Sequence, residues 1–128
     1  MDKKELRIGN KVTVKTHDSF RRICFTVASL SDRDHDTIGL RVVDSEIYRN
    51  VRPSYIIPIS LNEQILLKAG FQEVNPRRGT QKAFKFKGVR IEMSNSGNFY
   101  YKGNPKPYVH KIQNLVYELT DQELEINL

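Results

Sequence analysis

The spacing of apolar side chains changes period along this chain, and that change limits the folds open to it. Short runs between residues 11 and 42 and again between 84 and 93 place apolar side chains at every second residue, and from Tyr108 they recur every three or four. A period of two sends alternate side chains to opposite faces of a strand, whereas 3.6 gathers them on one stripe of a helix. Residues 11–16 carry Val12 and Val14 on one side. In 21–29, Ile23, Phe25 and Val27 face one way and Cys24, Thr26 and Ala28 the other. Ile38, Leu40 and Val42 form a third alternating run, and 47–50 fits a short fourth strand. Residues 55–59 are extended, with Pro58, which lacks an N–H, at a strand edge or end. Short strands with tight connections predict a small antiparallel sheet, curled or closed into a barrel.

A helix is expected over about residues 61–69, with Ser60 as its cap and Glu63 three residues later as in a capping box. Leu61, Ile65, Leu66 and Ala69 give it an apolar side. Gly70 sits where a left-handed stop is easy, and Phe71 can fold back on Leu66. A polar loop follows at 75–82. Phe84 and Phe86 then alternate with Lys85 and Lys87, and Val89, Ile91 and Met93 with Arg90 and Glu92. A two-residue turn at Lys87-Gly88 sets Phe86 opposite Val89 and Lys85 opposite Arg90. Ser94 to Asn98 make a second turn, 99–101 a third strand, and 103–107 break the chain. Tyr108, Val109, Ile112, Leu115, Val116 and Leu119 form a wide helical stripe with Pro107 at its first turn. Thr120 and Glu123 match a second capping box, with Leu124 docking and a final strand at 125–128. The class is α+β: a sheet or barrel-like first half, a central helix, a hairpin plus strand, and a C-terminal amphipathic helix. One domain is expected, with sub-lobes at about 1–59 and 60–128.

Three stretches carry a resemblance. They are Leu6-Arg7-Ile8-Gly9-Asn10, the run from Pro58 through Ser60-Leu61-Asn62-Glu63 to Gly70-Phe71, and the run from Tyr108 through Leu119-Thr120-Asp121 to Leu124. Together they resemble a group of small uncharacterised proteins frequent in Bacteroidetes genomes, their prophages and mobile elements. The chain departs from that pattern at Ala69, where an aromatic residue is expected, and at Asp121, where glycine is expected. The resemblance implies a bacterial or phage setting and brings no activity with it.

The remaining residues narrow the chemistry. Cys24 is the single cysteine among 128 residues, which excludes an internal disulfide and a cysteine-rich zinc site. No apolar run approaches the roughly 18 residues of a membrane helix. The first residues lack the apolar segment of a signal peptide, so no membrane partner and a cytoplasmic location are expected. Asp32, Asp34 and Asp36 resemble the opening of a calcium loop, but the sixth and twelfth positions hold Thr37 and Val43 instead of Gly and Glu. His17, His35 and His110 lie far apart without a zinc-protease spacing, and no phosphate-binding glycine loop or nucleophile elbow occurs. Cys24 sits mid-strand, as a packed thiol does. No enzyme activity, cofactor or metal is therefore expected.

Net charge is +6, and its distribution is uneven. Nine Lys/Arg lie between Arg77 and Lys111 against one acid, Glu92, while the last twelve residues hold four acids and no base. Arg77, Arg78, Lys82, Lys85, Lys87, Arg90, Lys102 and Lys106, with Tyr100 and Tyr101 as stacking surfaces, form the candidate nucleic-acid site, since a positive groove with aromatic platforms holds single strands. A second candidate is the polar side of the last helix, His110, Gln113, Asn114 and Tyr117, as a partner face. The alternative function is assembly with another protein or a second copy, the acidic C-terminus of one chain meeting the basic hairpin of the next.

Overall fold

The alternating runs of the first half become strands. β1 (Lys11–Val14), β2 (Cys24–Leu30), β3 (Ile38–Val42), β4 (Tyr48–Val51) and β5 (Ile56–Pro58) form one antiparallel sheet in the order β4-β3-β2-β1-β5. The computed structural model describes residues 5–14, 24–30, 37–42 and 48–128, and the chain divides into two compact units, Met1–Ile59 and Ser60–Leu128. In the first unit, alternation does what the period requires: Val12, Val27, Ile38 and Leu40 are wholly buried on one face. Lys11, Thr26 and Arg41 share the other, because they are cross-strand partners. A single 3₁₀ turn at Pro53–Tyr55, started by its proline, carries the chain from β4 to β5 on the opposite edge of the sheet. Among the described residues β4 pairs only with β3 and β5 only with β1, so the sheet is open and the expected barrel is not formed. Ending at Pro58, which has no N–H to offer a further strand, suits β5 to an edge.

The Arg7-Ile8-Gly9-Asn10 stretch is a tight turn that sets the register of this sheet. The Asn10 N–H donates to the Arg7 carbonyl (3.0 Å), and Gly9 takes φ +99, which a side chain would resist. Asn10 is buried, and its Oδ1 accepts the Arg7 N–H at 2.7 Å. Beyond the turn, the Gly9 N–H meets the Val27 carbonyl at 2.8 Å and the Val27 N–H meets the Asn10 carbonyl at 2.9 Å.

The second unit is a meander of five antiparallel strands with two helices. β6 (Gln72–Val74), β7 (Lys82–Phe86), β8 (Val89–Met93), β9 (Phe99–Tyr101) and β10 (Asn104–Pro105) lie in sequence order. The short edge strands β6 and β10 carry almost no apolar alternation, which is why the sequence pattern shows only the three between them. Register places Phe84 opposite Ile91 and Met93 opposite Phe99, on one buried face; the Phe84 and Phe99 rings are 6.5 Å apart.

α1 (Glu63–Lys68) begins two residues later than a Ser60 cap would place it. Asn62 is the cap, its side chain accepting the Ile65 N–H at 2.9 Å. Ser60 instead forms an isolated antiparallel bridge with Tyr108. The helix stops as expected. Phe71 N–H reaches the Leu66 carbonyl (3.0 Å), Gly70 N–H reaches the Leu67 carbonyl (3.1 Å), and Gly70 adopts φ +106, which together form a Schellman stop.

α2 (Val109–Thr120) buries Val109, Ile112, Leu115 and Val116, while Leu119 is half exposed and lies off the buried stripe. Asp121 ends it in left-handed geometry, φ +58. The expected capping box is replaced by a local turn: Thr120 Oγ1 accepts the Gln122 N–H at 3.2 Å and donates to the Val116 carbonyl at 2.7 Å. Leu124 does dock and is buried, as is Ile126, but residues 125–128 form no strand.

Candidate nucleic-acid interface

Hairpin chemistry positions the basic residues. Lys87 and Gly88 both take positive φ, 46° and 82°, the paired left-handed geometry whose twist matches the strands it joins. That two-residue turn fixes Phe86 opposite Val89 and Lys85 opposite Arg90, as the sequence predicted. Lys102 and Gly103 repeat it, with φ of 47° and 82°, between β9 and β10. In a meander the β7–β8 and β9–β10 turns fall at the same end of the sheet. Lys85, Arg90, Lys87 and Lys102 therefore share that end, Lys85 and Arg90 on one face and the turn lysines reaching toward rings of the other. The turn lysines lie over their neighbouring rings, Lys87 Nζ 5.4 Å from the Phe86 centroid and Lys102 Nζ 5.5 Å from that of Tyr101.

The rest of the basic run goes elsewhere. Lys82 lies on the opposite face from Lys85 and Arg90, at the far end of β7, where its ammonium meets Glu63 (3.1 Å) and Glu73 (3.6 Å). The hydrogen bond to Glu63, and then its charge, raise the Lys82 pKa above the ordinary lysine value. Arg77 and Arg78 are exposed in the loop before β7, and Lys106, half buried, gives its backbone N–H to the Phe99 carbonyl at 2.8 Å. Grouping all eight cations on one surface, as their sequence proximity implied, is therefore corrected by the register.

Glu92, the one acid in this run, stands on the same face as Arg90. Arg90 Nε approaches it at 3.4 Å and Arg77 Nε at 3.7 Å, while Arg90 Nη2 donates to the Asn75 carbonyl at 2.7 Å. Two guanidiniums thus offset one carboxylate, and Arg90 is locked in place. Lys85 is exposed and has no hydrogen-bond or ion-pair partner among the described residues. Tyr100 is the cross-strand neighbour of Glu92 and shares this face; Tyr101 points to the other. Beside Tyr100 opens a cleft of about 370 Å³, walled also by Tyr108, Pro105 and Pro107, with Asn98 and Ser60 among its lining residues. Sequence reasoning had no signal for Asn98, Ser60 and Tyr108 as one site; the Ser60–Tyr108 bridge that brings two of them together is a tertiary contact.

The second candidate surface is largely withdrawn. His110 and Gln113 are buried, Asn114 is half buried, and only Tyr117 of the four is exposed. The His110 ring stacks on Tyr108 at 5.8 Å with 10° between planes. Hydropathy treats His and Gln as polar, yet their flat side chains pack, and the first two turns of α2 are buried over more than half their circumference. Lys87 Nζ donates to Gln122 Oε1, so the acidic C-terminal segment lies beside the hairpin of its own chain.

Cys24 is half buried; desolvation pushes its thiol pKa up, with the Lys11 charge acting weakly against it. A thiol held neutral is a poor nucleophile. Among the described residues no three His, Cys, Asp or Glu side chains converge on a metal-sized site. His17, His35 and the Asp32-Asp34-Asp36 series lie outside the described residues. No helix of the described residues is long and apolar enough to cross a membrane. No family model, curated protein or solved structure matches this chain.

Proposed function

We propose that this protein is a non-enzymatic binding module that contacts the backbone of nucleic acid through one end of its second sheet. The observation that supports this reading most is the direct opposition of Lys85 and Arg90 on an exposed face, with Lys87 and Lys102 in the two turns at the same end. Like charges set opposite each other on a sheet cost stability. A polyanion lying across them removes that repulsion and releases its counterions. The sequence carries no helix-turn-helix, RNP or KH signature, so contacts to phosphates dominate.

The test is a salt titration with fluorescent single-stranded and duplex oligonucleotides. Log affinity should fall with log salt at about −0.7 per phosphate neutralised on the single strand. The variant K85A/K87N/K102N removes three cations while Asn retains the left-handed turn geometry. It should reduce that slope by about 2 if each lysine neutralises one phosphate. Absence of binding at low salt, or a slope unchanged in the variant, refutes the assignment.

A further inference from the structure

The cleft beside Tyr100 adds a component that charge alone does not supply. From the geometry of this cleft, we infer that it takes an unpaired nucleobase stacked on Tyr100, from a single strand whose phosphates follow Lys85 and Arg90. This inference rests on the proposed function and makes it specific for single strands. Three observations carry it. Tyr100 is on the face that bears Lys85 and Arg90, and Arg90 stands only two residues along β8 from Glu92, the cross-strand neighbour of Tyr100, roughly 7 Å away. Base and phosphate sites therefore lie within reach of one extended nucleotide.

Tyr108 and Pro105 line the cleft beside Tyr100, and the volume of about 370 Å³ lies in the range of small-molecule clefts. Asn98 and Ser60 are exposed lining residues that bring polar groups to the cleft, the Asn98 amide donating to Ser96 Oγ at 3.2 Å. The acid nearest in register, Glu92, is held by Arg90 and Arg77 and so does not repel a phosphate with its full charge. A paired base keeps its face within the stack of its own duplex. Only an unpaired one offers that face to Tyr100.

Binding of a fluorescent thymidylate oligonucleotide is compared with that of an abasic strand of the same length, for the natural chain, Tyr100→Leu and Tyr100→Phe. Circular dichroism establishes that each variant is folded. Tyr100→Leu should weaken binding of the base-bearing strand about tenfold, within the range of base–aromatic stacking. It should leave the abasic strand and the salt slope unchanged, and Tyr100→Phe should bind as the natural chain does. Equal affinity of the natural chain for both strands, or equal losses in Tyr100→Leu, overturns the base site and leaves the phosphate surface standing. Failure to bind either strand removes both. A proline-rich peptide that occupies the cleft while the oligonucleotide stays bound assigns the cleft to another occupant and overturns the inference.

Discussion

Asp121→Gly should make this protein more stable, although it removes a side chain and adds none. α2 ends with Asp121 at φ +58 and ψ +24, its N–H bonded to the Tyr117 carbonyl at 2.8 Å. Left-handed backbone costs a residue with a Cβ roughly 1–2 kcal/mol, less for Asp than for bulkier side chains, and glycine avoids that cost. The Asp121 carboxylate also sits at the negative end of the helix dipole, unfavourable by about 0.3 kcal/mol at an exposed position. A gain of about 1 kcal/mol follows, equivalent to a rise of roughly 3–5 °C in melting temperature for a chain of this size. Thermal unfolding followed by circular dichroism measures it. Asp121→Asn separates the two causes, since Asn keeps a Cβ but loses the charge; its smaller gain should shrink as salt is added. A Gly variant no more stable than the natural chain, or one matched by Asn at every salt concentration, would show that left-handed strain does not limit this helix end.

Two further outcomes separate the observed contacts from those the sequence implied. Asn62→Ala should lower stability by about 1 kcal/mol in urea unfolding, while Ser60→Ala changes it by less than about 0.5, because the cap of α1 is Asn62; the reverse order would restore the capping box at Ser60. Lys82→Gln removes a cation whose pKa is raised in the folded state, so its contribution is present below the ordinary lysine value of 10.5 and fades as pH rises through the raised one. The urea midpoints of the natural chain and Lys82→Gln should therefore differ at neutral pH and converge only as pH rises past the raised folded-state value, above the ordinary 10.5, and a gap of unchanged size once Lys82 is fully deprotonated refutes the ionic origin.

What was legible in the sequence was whatever local chemistry decides. Alternation marked β2, β3, β7 and β8, Lys87-Gly88 marked a hairpin and its register, and Gly70-Phe71 marked the end of α1, because each signal is complete within a few residues. Errors began where a distant partner decides. Ser60 and Asn62 both suit a cap, and the bridge from Ser60 to Tyr108 selects Asn62. β6 and β10 are strands because β7 and β9 offer them an edge. His110 and Gln113 are buried by packing that no hydropathy pattern records.

The basic site depends on this distinction most. Nine cations in one stretch of sequence have no geometry until the strands are paired, since a shift of one residue exchanges the two faces of a sheet. With the observed register, Lys82 leaves for the other face and pairs with Glu63 and Glu73, and Arg77 joins Arg90 against Glu92. Lys85 remains without a carboxylate among the described residues, opposite Arg90 and at the same end as Lys87 and Lys102. Mutating cations by their number in the run mixes structural ion pairs with surface charge. Loss of binding in Lys82→Gln or Arg90→Ala would report on folding as readily as on contact. The exposed Lys85 and the turn lysines, exchanged for residues their backbone geometry accepts, separate the two.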